Sequence, residues 1–177
     1  MRQAAHKYTV KTHETFWRTL LTFSITRIVI TTVLLVYLIL HFRKSADAIY
    51  FLRYWQICIA YLFLSICFAV LVVRYRRHFT MQLFAQIAAD IAVISLLYVT
   101  AGGARSGLAI LYLFPLAGGA ILAPMMLALF FASVTTLFLL AESVYQAITL
   151  PVEQTFLQAG LYGAAFLSTA FVVNRLA

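Results

Sequence analysis

The chain has 177 residues, of which 64% are hydrophobic and only 10% charged. A soluble domain carries about 25% charged residues, so this composition excludes an ordinary water-soluble fold and puts most of the surface in lipid. The formal charge of +8 then reflects membrane orientation and contact with anionic lipid; a nucleic-acid partner would need a basic groove on a soluble fold, and none is available.

Residues 1–15 read as a basic arm carrying Arg2, Lys7 and Lys11. A spanning helix needs about 20 apolar residues. Residues 17–41 are the first candidate, interrupted only by Arg18 and Arg27. The run is too long for the core of a secretory signal and has no small-residue cleavage site, so it reads as a retained helix. The second candidate is bounded by Arg53 and Arg74. It holds Cys58 and Cys67, nine residues apart and so on opposite helical faces, where they cannot pair with each other and read as packing residues.

The third candidate runs from Met81 to Thr100 and contains Asp90. A carboxylate at this depth is costly and marks a partner or a function. Gln82, Gln86 and Asp90 share one face by their four-residue spacing, and that face is expected to point inward. Arg27 lies at a similar depth on the first helix. An ion pair between Arg27 and Asp90 is the economical expectation, as a packing and topology pin or as part of a sensing relay.

The third helix breaks at Ala101-Gly102-Gly103-Ala104-Arg105-Ser106-Gly107. This stretch lacks the Lys-Ser/Thr ending of a phosphate loop and does not match the dinucleotide fingerprint. It reads as a turn with helix-capping glycines, and Gly102, Gly103, Arg105, Ser106 and Gly107 are the candidate sensing or partner-contacting residues. From Leu108 to Ala141 come 34 residues without a charge, too long for one pass through a ~30 Å core at 1.5 Å per residue. Two short helices fit better, with a tight turn at Ala123-Pro124. Pro115 and Gly118-Gly119 are expected to kink or thin the first of them. Glu142 and Glu153 are placed in an acidic loop beyond the second. A sixth helix follows the turn at Pro151, from Gln154 to Leu176. On it Gly160, Ala164 and Ser168 form a small-residue face that allows close helix approach. Internal packing is the first expectation for this face and dimerisation the second.

Six passes put both termini on one side. Eight basic residues (Arg2, Lys7, Lys11, Arg18, Arg74, Arg76, Arg77, Arg175) fall on that side and four (Arg43, Lys44, Arg53, Arg105) on the other, so both termini are expected in the cytoplasm. The fold class is therefore all-α and polytopic, with six transmembrane helices. No Ser/His/Asp set, His-Glu-x-x-His motif or metal-ligand spacing occurs; His6, His41 and His78 are scattered, and no catalytic centre, metal or cofactor is expected. His13-Glu14 matches the core of a phosphoacceptor box, but in a basic arm with no ATP-binding domain after it, and reads as chance.

Asp90-Ile91, the apolar run to Tyr98, and Gly102-Gly103-x-x-Ser106-Gly107-Leu108 resemble the membrane domain of PilS-type sensor histidine kinases. Arg27 matches a basic residue usual there. Ala132 through Glu142 resembles that domain's fifth helix, and Gln158-Ala159-Gly160-Leu161 its sixth. The resemblance covers residues 16–177. It implies a six-helix sensor domain in the bacterial inner membrane, with a PAS-like domain, a phosphorylated dimerisation helix and a kinase domain following it in the cytoplasm. The implied partners are membrane lipid, pilin or another membrane protein, that kinase region, and a response regulator acting on pilin (type IV pilus) transcription; a homodimer is a further one. The chain ends at Ala177, so kinase activity is not carried over, and the expectation is a sensor module whose sixth helix relays the signal. A small transporter would instead show a polar cavity reaching Asp90, and an assembly subunit only a partner surface.

Overall fold

The computed structural model describes residues 21–22, 24–33, 35–36, 48–74, 79–149 and 155–177. Every described element is helical. In chain order they are α1 (Ser24–Val33), α2 (Ala48–Arg74), α3 (Phe79–Thr100), two 3-10 turns (Gly103–Ser106 and Leu108–Tyr112), α4 (Leu113–Leu122), α5 (Met125–Thr149) and α6 (Thr155–Leu176). Four spans, Trp55–Arg74, Thr80–Thr100, Met125–Thr149 and Phe156–Leu176, are long and apolar enough to cross a membrane, and Ser24–Val33 and Leu108–Leu122 are shorter apolar helices. The basic arm, Trp17, Arg43, Lys44, Arg76, Arg77, Pro151 and Glu153 lie outside the described residues.

The chain divides into two compact units, residues 1–82 and 83–177. In the first, α1 buries Ser24, Arg27 and Thr31 and exposes Ile25, Val29 and Val33. Polar residues inside and aliphatic ones outside is what lipid demands, because lipid solvates the aliphatic face and not the polar one. Thr31 Oγ1 donates back to the Arg27 carbonyl at 2.8 Å, which satisfies a buried hydroxyl without leaving the helix. On α2, Cys58, Tyr61, Ser65 and Val72 are buried while Ile59, Phe63, Ile66, Val70 and Val73 face outward. Cys58 is buried and Cys67 exposed, and both are free thiols.

In the second unit α6 packs along α5 and against α4. Close approach is set by small residues. A Cβ on Gly119 would come within 2.8 Å of Ile87 Cδ1, and one on Gly163 would overlap Thr136 Cγ2. The core centres on Tyr112 and Phe166, both fully buried. Their rings lie 5.9 Å apart, and Phe166 stacks on Tyr162 at 6.2 Å. The Tyr112 hydroxyl meets Ser95 Oγ at 2.7 Å. Ser95 donates its own proton to the Ile91 carbonyl at 2.7 Å, so Tyr112 is the donor between the two hydroxyls.

Three expectations change here. The sequence expects Pro115 and Gly118-Gly119 to kink or thin the helix; α4 runs uninterrupted from Leu113 to Leu122, and it is thinned at Gly119, where Ile87 closes in. The irregularity lies upstream, in the 3-10 turn Leu108–Tyr112, and Pro115 falls in the first turn of α4, where a missing N–H is tolerated. The 3-10 rise is about 2.0 Å per residue against 1.5 Å, so Leu108–Leu122 reaches roughly 25 Å, close to the thickness of a hydrocarbon core. Second, Glu142 lies not in a loop but within α5, which continues to Thr149. Charge marks where the apolar zone ends, not where the helix ends. Third, Gly160, Ala164 and Ser168 are exposed among the described residues, so the packing of α6 on α4 and α5 uses another face. The buried positions of α6 are Ala159, Gly163, Phe166 and Ala170.

Candidate functional site

Arg27 is 1% exposed on α1, and its guanidinium lies 5.5 Å from the centroid of the Phe68 ring of α2. A cation over an aromatic face is one way to hold a charge away from water. Asp90 is wholly buried on α3, as is Gln86 one turn before it, and Gln82 is half-buried. The inward-facing polar stripe expected on α3 is present. Arg27 belongs to the first unit and Asp90 to the second.

The glycine-rich turn is built by backbone conformations that side chains disfavour. Gly102, Gly103 and Gly107 have φ of 90°, 67° and 67°, in the left-handed region that glycine enters without strain. Ser106 ties the loop from within: its Oγ donates to the Gly103 carbonyl at 2.7 Å and accepts the Leu108 N–H at 3.3 Å. The turn is also clasped to α5. Gln146 Nε2 donates to Glu142 Oε1 at 3.0 Å and reaches the Gly102 carbonyl at 3.4 Å. A Cβ on Gly103 would land on that same Gln146 amide. Gly103 is thus required twice, for its φ and for the space Gln146 fills. Gly102, Gly103, Ser106 and Gly107 come together in this turn, with Arg105 in its 3-10 segment.

Gln146 and Glu142 carry no motif, and sequence reasoning missed their part in the turn. The available signal was their four-residue spacing, which puts an amide and a carboxylate on one helical face. Asn174 was missed as well. It sits at the far end of α6, with its side chain directed at the α4–α5 hinge. Among the described residues no group of three or more His, Cys, Asp or Glu could hold a metal ion.

A family model described as a PilS-like transmembrane domain matches residues 10–177. No curated protein and no solved structure matches the chain.

Proposed function

The chain belongs to the PilS-like transmembrane domain family, and from that premise we propose that it is the membrane input module of a pilin-regulating sensor histidine kinase. In this reading it sits in the bacterial inner membrane with both termini cytoplasmic. A membrane-embedded partner, pilin or another membrane protein, docks on the bundle, and α6 carries the change to a kinase region that phosphorylates a response regulator. The observation that carries the reading is the family match over residues 10–177. It is supported by the way α6 runs unbroken from Thr155 to Leu176 while packed on both α4 and α5, so a rearrangement of either neighbour is felt along its length.

The orientation is tested by reporter fusions at Ala177 and within the turn at Ser106. The basic bias of eight residues against four leads to labelling on opposite sides, with the Ala177 fusion cytoplasmic; labelling on the same side would remove the six-pass topology.

The relay is tested at Gly163, where any side chain meets Thr136. Overpacking costs about 1–3 kcal/mol, enough to shift a two-state signalling equilibrium about tenfold. In a fusion that places a histidine-kinase region after Ala177, Gly163→Val is expected to change response-regulator phosphorylation by about that factor. A chain that inserts normally but gives unchanged basal and stimulated output would show that α6 is not the transmitter.

A further inference from the structure

The α4–α5 hinge has a hydrogen-bonding deficit that its own residues do not fill. In an uninterrupted helix the Ala120 carbonyl would accept the N–H of residue 124. That residue is Pro124, which has no N–H. The Ala123 carbonyl would be met by the N–H of Leu127, but Leu127 donates to the Pro124 carbonyl at 2.9 Å instead. Ala123 itself is extended, with φ −102° and ψ 156°, so the helical ladder does not run through it. Ala120 is fully buried and Ala123 nearly so. Carbonyls buried in protein are out of reach of water and require donors from the protein itself.

Asn174 supplies both. Its Nδ2 donates to the Ala120 carbonyl at 2.7 Å and to the Ala123 carbonyl at 2.9 Å. A primary amide nitrogen carries two protons, one for each acceptor, and two carbonyl partners admit only the nitrogen end of the amide. Asn174 lies in the last turn of α6. Its neighbour Arg175 turns aside, with its guanidinium 5.7 Å from the Phe171 ring of the same helix, while the Asn174 amide makes both hydrogen bonds from this end of α6 to the hinge.

We propose that Asn174 is a latch that holds the end of α6 on the α4–α5 hinge, and that releasing it is a step in signal output. Sliding or rotating α6 at this level breaks both hydrogen bonds together, which makes the contact two-state rather than graded. The proposal deepens, and rests on, the reading of α6 as the output helix.

The test is Asn174→Asp, which keeps the shape of the side chain and presents only oxygens to the two carbonyls. Asn174→Ala, which removes the donor without adding repulsion, guards against a chain that fails to insert. Two readouts are taken: hydrogen–deuterium exchange of residues 118–128 and 170–176 in the full chain in lipid nanodiscs, and response-regulator phosphorylation in the kinase fusion. Exchange at both segments is expected to rise about tenfold, as for the loss of one or two hydrogen bonds, with output losing its dependence on the signal. Unchanged exchange in both variants would overturn the latch, whatever α6 does. Raised exchange with unchanged output, where Gly163→Val does alter output, would overturn the regulatory role and leave the output helix standing. If neither Asn174→Asp nor Gly163→Val alters output, the output reading falls and the latch's role falls with it.

Discussion

Phe166→Ala is expected to destabilise the second unit by about 3 kcal/mol, whereas Ala164→Leu, two residues away, is expected to stay within about 0.5 kcal/mol of the parent. Phe166 is fully buried, with Tyr112 at 5.9 Å on one side and Tyr162 stacked at 6.2 Å on the other. Truncating it opens a cavity that the neighbouring rings cannot close. The value is set at the low end of the range for aromatic truncation because lipid, unlike water, solvates apolar side chains, which leaves lost packing as the main term. Ala164 is exposed on α6, so a leucine there projects away from α4 and α5 of the same unit. Thermal unfolding in detergent micelles, followed by far-UV circular dichroism, measures both. Equal losses at the two positions would overturn the assignment of the packed face. A loss at Ala164 that grows with protein concentration would point to a second copy seated on Gly160, Ala164 and Ser168.

A larger loss is expected at Asp90. The carboxylate is wholly buried on α3, and the charge balance of the membrane segments makes Arg27 the compensating residue we propose for it. Removing one member of a buried pair leaves the other charge stranded, at about 3–5 kcal/mol. Asp90→Ala and Arg27→Ala should each destabilise by that order, and the double substitution by markedly less than their combined effect. The exchanged pair Arg27→Asp with Asp90→Arg should recover part of the loss. The measurement is a double-mutant cycle on unfolding in micelles. Additive effects would rule out the pairing and leave Asp90 to be explained by its other neighbours.

The helices were legible in the sequence where local chemistry marks them. The sequence marks the third over 81–100 and the structure has it at Phe79–Thr100; it marks the sixth over 154–176 and the structure has it at Thr155–Leu176. The hinge at Ala123-Pro124 was visible because proline and the length of the uncharged run both demand it. The inward stripe of Gln86 and Asp90 was visible because polar residues on an apolar helix have one favourable direction.

What sequence could not supply was the orientation of helices that are apolar all round. On α6 the small residues recur in two registers, Gly160–Ala164–Ser168 and Ala159–Gly163–Ala170. Only the second is packed, because Thr136 and Tyr112 present surfaces complementary to it. Those partners lie 27 and more residues away, and no local periodicity registers them. The 3-10 turn over Leu108–Tyr112 was equally hidden, since it differs from an α-helix in hydrogen-bond spacing and not in composition. Glu142 lies inside its helix because a charge ends the apolar zone and leaves the backbone ladder intact.

The hinge also constrains how the protein is assembled. The ribosome delivers α4, Pro124 and α5 before it delivers Asn174, which comes 50 residues after the proline. Until then the carbonyls of Ala120 and Ala123 lack the donor they hold in the finished protein. The α4–α5 hairpin is therefore left incomplete during biogenesis. It is finished only once the last turn of α6 has been made and brought against it, so closing this turn waits on a segment 50 residues further along the chain.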